Sequence, residues 1–323
     1  MGETSLEEVK DIGPARSRKL AEHGITTLHD LVTTDPHELA KILGVTIAKA
    51  KEIMNNAKEI LFSKTQIVET ASEAEEFLKK NVRYISTGSK EVDKILGGGV
   101  PTMSTTAFVG HAATGKTQMV FTLIANTLKD GRYAAYIETE PSGDFIPRIR
   151  EICMKRGIEY RPEKILVVRA DKIASPHQQL LAYEAVWRKC RDENLDLGLL
   201  AVDSFSAKIR EFYTGREMLA MRSQEVARHM GILQQIAADM NCAVVLTGQV
   251  MSVPDISAQI EAKMRFGTPM RPYGGEFFLH SICNLVLLEQ VASNEWEATV
   301  LDSPTLPRRS ARFKLTDKGV EDL

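Results

Sequence analysis

The chain has little that would place it in a membrane, in an oxidising compartment or around a zinc ion. Its four cysteines are scattered, without a C-x-x-C pair: Cys153, Cys190, Cys242 and Cys283. That usage is typical of buried thiols in a reducing compartment rather than of disulfides or a zinc site. No apolar run reaches the roughly 18 residues of a membrane span, and the first residues show no signal-peptide pattern. We therefore expect a cytoplasmic protein with no membrane partner.

The chain also lacks a strong charge of either sign. Its 41 Lys and Arg residues nearly balance 43 Asp and Glu residues, for a net charge of −2. No overall basic field therefore indicates a nucleic-acid partner, and any such contact must come from local clusters. With 323 residues, 43% hydrophobic and 26% charged, the sequence is typical of a globular protein with one large and one small domain.

The most informative stretch that is present covers residues 110–117, which read GHAATGKT and fit G-x-x-x-x-G-K-[ST]. An apolar strand is predicted before it at 105–109 and an apolar-periodic helix after it at 118–128, the context that this motif requires. Backbone N–H groups at such a helix start present partial positive charge to a polyphosphate. Lys116 is expected to reach the β- and γ-phosphates and Thr117 to bind Mg²⁺. The alternative is a glycine turn that binds nothing.

Strands and helices alternate beyond this loop, from about residue 133 to residue 247. The pattern predicts a mainly parallel sheet with helices on both faces. Three later strands, at 284–289, 296–301 and 311–315, have no helices between them and predict antiparallel pairs at the end of the sheet. Residues 251–274 lack apolar periodicity, so we predict a long loop that is functional or disordered.

Polar side chains follow three of the predicted strands. Asp203 ends an apolar strand and is predicted to hold the hydration shell of Mg²⁺, the alternative being a capping role. Glu140 is the candidate base for a water in line with the γ-phosphate, unless it and Glu138 are solvated loop acids. The amide of Gln249 is expected to bond the γ-phosphate and to report its presence to the segment that follows.

Two basic clusters with interleaved aromatic residues are predicted to hold a phosphate backbone and partly unstacked bases. The first consists of Arg210, Arg216, Arg222 and Arg228, interleaved with Tyr213, and the second of Lys263, Arg265 and Arg271 near Phe266 and Tyr273. The alternative for the first cluster is a salt-bridged helix face, because glutamates are interleaved with these arginines.

Residues 1–62 read as short helices separated by glycine turns at Gly13 and Gly44. Two such units resemble helix-hairpin-helix modules, which hold the DNA backbone without reading bases. Asp11 stands where these hairpins usually have their first glycine, so a small helical docking domain is the alternative. A polar linker at 63–84 and a core domain at 85–323 complete the predicted organisation.

Together these motifs resemble the archaeal RadA recombinases, which are relatives of the eukaryotic strand-exchange recombinases and of bacterial RecA. The resemblance spans nearly the whole length, through 86–99, 110–118, 137–140, 200–204, 213–222, 249–250, 272–275 and 302–307. It implies a RecA-like P-loop ATPase core of α/β class, with a mainly parallel sheet and antiparallel C-terminal strands. A small all-α helix-hairpin-helix domain precedes this core.

The resemblance also implies cofactors, partners and site residues. Members of this family bind ATP and Mg²⁺ between subunits of a filament on single-stranded DNA, and they exchange strands with double-stranded DNA in repair. Glu140 then activates water, with Lys116 and Gln249 as the other catalytic groups. The implied nucleotide contacts are Gly110, His111, Ala112, Ala113, Thr114, Gly115, Lys116, Thr117, Gln118 and Arg148, with Asp302, Pro304 and Pro307 covering the ATP of a neighbour. The implied DNA contacts are Arg210, Arg216, Arg222, Lys263, Arg265, Arg271, Gly274 and Gly275.

Several positions depart from the family pattern. The oligomerisation motif Phe-x-x-Ala reads Ala71-Ser72-Glu73-Ala74, and loss of a buried Phe typically costs about 3–5 kcal/mol. Gly248 replaces Asn, Glu276 replaces His, and residues 289–293 replace a basic turn. Three hypotheses follow: a nucleoid-associated DNA-dependent ATPase and recombinase, a paralogue that regulates a related recombinase subunit without strand exchange, and a RecA-core ATPase acting on protein partners.

Overall fold

A computed structural model describes residues 5–64, 68–141, 143–215, 217–252, 256–266 and 270–323. The chain divides into two compact units, Met1–Lys80 and Asn81–Leu323. In the described residues, no helix has the length and apolar character needed to cross a membrane.

The first unit is helical. Its helices are α1 (Pro14–Glu22), α2 (Leu28–Thr33), α3 (Pro36–Leu43), α4 (Ile47–Lys64) and α5 (Ala71–Asn81). Pro14 and Pro36 occupy first helical positions, where the missing N–H group costs no hydrogen bond. Leu20, Leu31 and Ile53 are fully buried in a small core of this unit. Helix α5, within the predicted linker, buries none of its residues.

The two predicted hairpin turns differ in their backbone. Gly44 ends α3 in the left-handed region at φ 66°, as expected for glycine after a helix. Asp11 also has a positive φ, of 72°, so it takes a conformation that glycine adopts more readily. Its carboxylate lies 2.7 Å from Nζ of Lys49. The acidic residue therefore neutralises one of the cations beside the hairpins.

The second unit is an α/β domain. Its helices are α6 (Lys90–Ile95), α7 (Lys116–Lys129), α8 (Ile146–Lys155), α9 (Pro176–Asp192), α10 (Ala207–Phe212), α11 (Leu219–Asp239), α12 (Ile256–Phe266) and α13 (Gly275–Ser281). Its strands are β1 (Tyr84–Ile85), β2 (Val100–Pro101), β3 (Ser104–Val109), β4 (Tyr133–Glu138), β5 (Ile165–Val168), β6 (Leu197–Asp203), β7 (Ala243–Gly248), β8 (Val250–Ser252), β9 (Met270–Pro272), β10 (Asn284–Ala292), β11 (Glu295–Asp302), β12 (Ser310–Thr316) and β13 (Gly319–Glu321).

Within the described residues, the main sheet has nine strands in the order β13-β12-β11-β10-β3-β7-β6-β4-β5. The strands from β10 to β5 are parallel, and β11, β12 and β13 extend the sheet in antiparallel pairs. The predicted fold class, including the antiparallel C-terminal strands, is confirmed. All parallel strands end at one edge of the sheet, which is where β3 enters the phosphate loop.

Each face of the sheet carries its own hydrophobic core. Successive residues of β3 point to opposite faces, so Ala107 and Val109 lie in one core and Phe108 lies in the other. Helix α7 packs Met119 and Leu123 into the core of Phe108. Helices on both faces explain why the parallel strands read as nearly continuous apolar runs.

The segment predicted as a loop at 251–274 contains regular structure, so that prediction is wrong for its described part. Strands β8 and β9 pair as an antiparallel hairpin, and α12 lies between them in sequence. Ile256, Ile260 and Met264 of α12 are exposed while Ala262 is buried, so apolar spacing did not mark a buried face. The sequence pattern did not predict β13, the short strand that ends the sheet.

Candidate nucleotide-binding site

The phosphate loop depends on two glycines. Gly110 follows β3, and a Cβ there would overlap the carbonyl oxygen of Leu288 and lie 2.6 Å from Oγ1 of Thr114. Gly115 has φ 86° and precedes α7, where a side chain would be strained. Residues 113–118 and Leu315 line a cavity of about 210 Å³. The glycines thus leave a concave surface at the start of a 14-residue helix, where unpaired N–H groups bind anions.

Lys116 points its ammonium group back into the loop. Its Nζ donates to the carbonyl oxygens of Gly110 at 3.0 Å and His111 at 2.5 Å. Burial lowers the pKa of Lys116, while the negative charges of Asp203 and Glu140 act in the opposite direction. A phosphate oxygen is a stronger partner for this ammonium than neutral carbonyls are, so the donor set fits a polyphosphate.

Thr117 and Asp203 meet beneath the loop. The Thr117 hydroxyl donates to Oδ2 of Asp203 at 2.8 Å, and Tyr136 donates to the same oxygen at 3.2 Å. The hydroxyl of Thr247 donates to Oδ1 of Asp203, and the Asp203–Ser204 peptide bond is cis. One carboxylate and one hydroxyl at the edge of a phosphate site are the oxygen ligands that suit Mg²⁺ with its waters.

A larger metal cage is absent from the parts of the chain that the structure describes: no three His, Cys, Asp or Glu side chains cluster around a common point. Mg²⁺ usually keeps several waters and uses one or two protein oxygens together with substrate phosphates. The Thr117–Asp203 pair therefore fits Mg²⁺ bound together with a nucleotide better than it fits a metal ion bound by the protein alone.

Glu140 lies at the same sheet edge as Asp203. Thr139 ties the two segments together, because its N–H donates to Asp203 O at 2.9 Å and its hydroxyl to Ser204 O at 2.6 Å. Glu140 is half-buried, whereas Glu138 is 5% exposed and accepts a hydrogen bond from the N–H of Ala170. Of the two acids, Glu140 is the one near enough to influence the pKa of Lys116.

Gln249 follows the end of β7 next to the phosphate loop. The N–H of Gly110 donates to Gly248 O at 3.2 Å, which places Gln249 one residue beyond a direct backbone link to the loop. Its Oε1 accepts a hydrogen bond of 2.7 Å from Nη1 of Arg210. The predicted nucleotide sensor is therefore in contact with a predicted DNA-binding arginine.

The predicted DNA segments come together around Tyr273. Arg222 donates from Nη1 to the Tyr273 hydroxyl at 2.9 Å. The guanidinium carbons of Arg210 and Arg222 lie 5.7 Å and 5.3 Å from the centre of the Tyr273 ring, within range of cation–π attraction. No sequence pattern had singled out these contacts, which join residues 51 or more positions apart.

The other predicted DNA residues are more dispersed. Arg271 lies 3.2 Å from Glu276, and Lys263 is exposed on α12. Gly274 has φ 135°, and a Cβ there would lie 2.7 Å from Phe278, while Gly275 has φ 74°. Arg216 lies outside the described residues, as does the side chain of Arg265.

Arg148, which the resemblance implies as a nucleotide contact, is engaged by the C-terminal hairpin. It donates to Gln118 Oε1 at 2.9 Å, to Thr316 O at 2.5 Å and to Asp317 O at 3.1 Å. Leu315 of that hairpin lines the loop cavity. No sequence motif predicts this wall, because a contact spanning about 200 residues of chain leaves no local pattern.

Asp302, Pro304 and Pro307 are exposed and lie apart from the phosphate loop of their own chain. Strand β10 runs parallel to β3 and β11 runs antiparallel to β10. Strand β11 therefore ends toward the edge where β3 begins, whereas the phosphate loop follows the other end of β3. The structure does not bring these three residues to the candidate nucleotide site of the same molecule.

Known proteins match this chain over almost its whole length. The Rad51 family model matches residues 78–323, and a SAM-like helix-hairpin-helix tandem matches residues 3–59. Three relatives carry the name "DNA repair and recombination protein RadA". They come from Cenarchaeum symbiosum (32% identity over 98% of this chain and 79% of the relative), Aeropyrum pernix (31%, 100% and 99%) and Ignicoccus hospitalis (31%, 99% and 96%).

Proposed function

The chain belongs to the Rad51 family, and on that premise we propose that it hydrolyses ATP with Mg²⁺ and acts on DNA in recombination and repair. The observation that carries the proposal is the hydrogen bond between Thr117 and Asp203 beneath the phosphate loop. It joins the loop to the edge of the sheet that also carries Glu140 and Gln249. A triphosphate at this edge touches both the hydrolytic residues and the link to the DNA segments.

Each residue of the site has a part in hydrolysis. Lys116 and the N–H groups at the start of α7 hold the phosphates, while Thr117 and Asp203 hold the metal ion and its waters. Bound Mg²⁺ supplies charge neutralisation at the phosphate oxygens. Glu140 accepts the proton of the attacking water, and Gln249 donates its amide to the γ-phosphate. Arg148 borders the site, where a planar guanidinium can stack on a base.

Single-stranded DNA binds next to this edge, with double-stranded DNA as the second substrate. Arg210 and Arg222 are brought together in the folded chain, and clustered arginines are the usual contact for a nucleic-acid backbone. Arg216, Lys263, Arg265 and Arg271, with Gly274 and Gly275, extend the contact. The helix-hairpin-helix tandem supplies further contacts that do not read sequence.

The nucleotide site is completed by a second copy of the chain or by a related recombinase subunit. Asp302, Pro304 and Pro307 lie toward the opposite edge from their own phosphate loop. A head-to-tail arrangement would bring this segment of one copy over the nucleotide of the next, and such contacts build helical filaments when they do not close into rings. This geometry supports assembly along DNA.

The finer proposal is that the filament exchanges DNA strands. A second candidate is a mediator that binds ATP and DNA without forming filaments, and three observations favour it. Ala71-Ser72-Glu73-Ala74 lacks an aromatic anchor and lies on α5, which buries none of its residues. Residues 289–293 carry no cation, and Asp11 pairs with Lys49.

One experiment separates these candidates: a strand-exchange assay with ATP and Mg²⁺, with electron microscopy of the same sample. Exchange together with filaments supports the recombinase. ATP-dependent binding of single-stranded DNA without strand exchange and without filaments supports the mediator. Failure to bind DNA in the presence of ATP contradicts both and favours the third class, an ATPase acting on protein partners.

A further inference from the structure

Four side chains beyond the phosphate loop form one contact group, which we call the tyrosine cluster: Arg210, Arg222, Gln249 and Tyr273. Tyr273 is at its centre. Its ring lies within 5.7 Å of both guanidinium carbons, its hydroxyl accepts from Arg222, and its N–H donates to Gln249 O at 2.9 Å. Arg210 completes the cluster through its hydrogen bond to Gln249 Oε1.

The tyrosine cluster holds both arginines with neutral partners. Among the residues that the structure describes, neither Arg210 nor Arg222 forms a salt bridge with a carboxylate; their partners are an aromatic ring, a hydroxyl and an amide oxygen. No carboxylate in the described part of the chain therefore offsets the positive charge of either guanidinium group. Phosphate oxygens accept stronger, charge-assisted hydrogen bonds from the same N–H groups. DNA and Tyr273 thus compete for the two guanidinium groups.

The cluster is also connected to the phosphate loop at two points. One is the backbone bond from Gly110 N–H to Gly248 O, next to Gln249. The other is a 2.9 Å contact between Nε2 of His111 and Sδ of Met270, on the strand that leads to Tyr273. A γ-phosphate that draws the Gln249 amide toward itself breaks the bond to Arg210 and removes one of the contacts that hold the cluster together.

We propose that Tyr273 is a positioning residue that holds Arg210 and Arg222 away from DNA until ATP recruits Gln249. Tyr273 touches neither the nucleotide nor the reacting atoms in this role; it makes DNA binding depend on the nucleotide. The inference rests on the proposed function, because it requires ATP at residues 110–117 and DNA at the two basic segments.

The test measures the affinity of the full-length chain for a fluorescent oligothymidine by anisotropy, with Mg²⁺ alone and with Mg²⁺ and ATP. In Tyr273→Leu, loss of the two cation–π contacts should tighten DNA binding without nucleotide by about tenfold. Affinity with ATP should stay at the wild-type value, so the ratio of the two Kd values falls toward one. Tyr273→Phe keeps the ring and should retain most of the wild-type ratio.

A matched control is Tyr160→Leu, which removes another tyrosine under an arginine: Arg150 lies 5.2 Å from its ring centre. Tyr160 lies between α8 and β5, where the parallel strands begin, so this variant should keep the wild-type ratio. Thermal unfolding and binding of a fluorescent ATP analogue establish that each variant is folded.

Two results would overturn the inference while leaving the proposed function intact. One is a wild-type Kd ratio in Tyr273→Leu. The other is DNA binding weakened equally in both states, which would make Tyr273 a base-stacking or structural residue. A wild-type chain that binds no single-stranded DNA with ATP would instead refute the proposed function, and the inference with it.

Discussion

The hydroxyl of Thr117 donates a 2.8 Å hydrogen bond to Oδ2 of Asp203, although 86 residues separate the two in the chain. Strand β6 carries Asp203 to the sheet edge where α7 begins. The bond forms because parallel strands all end at one edge, so a residue that ends one strand meets the loop that follows another.

Asp203→Asn should weaken the response to magnesium. The amide oxygen can still accept hydrogen bonds from Thr117 and Tyr136, but the negative charge is lost. Loss of such a partner typically lowers metal affinity by about 10- to 100-fold, so the Mg²⁺ concentration for half-maximal ATP turnover should rise by that amount. Asp196→Asn, at the other end of β6, is the control. An unchanged Mg²⁺ dependence in Asp203→Asn would contradict the metal role.

Lys116→Ala should abolish hydrolysis and weaken ATP binding. The variant removes the ammonium that now bonds to Gly110 O and His111 O and that would face the phosphates. Loss of one preorganised donor of this kind lowers turnover by at least about 100-fold. Steady-state phosphate release and nucleotide titration measure the two effects. Lys129→Ala, at the far end of the same helix, should behave as wild type, and normal turnover in Lys116→Ala would refute the loop assignment.

Glu140→Gln should keep ATP binding and lose hydrolysis. The amide preserves the size of the side chain but cannot accept the proton of the attacking water, which costs about 10²- to 10⁴-fold in rate. Single-turnover hydrolysis and equilibrium nucleotide binding separate the two properties. Asp144→Asn changes an exposed acid nearby and should leave the rate unchanged. Full activity in Glu140→Gln would exclude Glu140 as the base.

Ala71→Phe should promote self-assembly if the linker motif has lost only its anchor. A buried aromatic side chain at such a contact contributes about 3–5 kcal/mol. Light scattering should detect a larger particle, and electron microscopy should show whether it is a filament. Ser72→Phe adds the same ring one position along the exposed helix and is the matched control. If wild type and Ala71→Phe form particles of equal size, the chain lacks an intact site on a second copy that binds the aromatic side chain.

His229 provides a pH test of the core. Burial, with a smaller contribution from the charge of Arg228, lowers the pKa of His229 to about 3 from its ordinary 6.5. Its ring lies 3.3 Å from the Tyr183 hydroxyl and 3.5 Å from the Glu225 carboxylate. Below the ordinary pKa the unfolded chain binds a proton that the folded chain does not. As the pH falls, this difference lowers the free energy of unfolding by up to about 1.4 kcal/mol for each pH unit.

His229→Gln removes this difference in proton binding, so its melting temperature should fall less than that of wild type between about pH 6.5 and pH 5. The comparison uses thermal unfolding at each pH. His280→Gln replaces a histidine whose side chain is 73% exposed. In this control, the melting temperature should depend on pH as it does in wild type. If the melting temperature of His229→Gln depends on pH as steeply as that of wild type, the imidazole of His229 takes up a proton within the folded protein.

Local patterns predicted much of the fold because the rules behind them act over a few residues. Apolar runs with intervening helices predicted the parallel sheet, and helix-free strands after residue 284 predicted its antiparallel end. The motif at residues 110–117 predicted a loop between a strand and a helix. Its glycines are required because a side chain at Gly110 or Gly115 would clash or be strained. The roles of Glu140, Gln249 and the DNA-contacting arginines remain predictions.

Other features depend on residues that are distant in the chain and left no local pattern. The β8–β9 hairpin pairs strands that are separated in sequence by α12, so no short turn motif predicts the pairing. Arg148 bonds to the C-terminal hairpin because β12 and β13 lie beside α7 and α8 in space.

The sequence by itself determined the family, through its resemblance to known recombinases. It also determined the fold class and the phosphate loop, because both depend on the short-range spacing of glycine, apolar and charged residues. Only the tertiary structure decided which side chains share the site. It joined Arg210 to Gln249 and Tyr273, and it set residues 302–307 away from the phosphate loop of the same chain. The physical reason is that the order of strands in the sheet, not their order in the chain, determines which strand ends become neighbours.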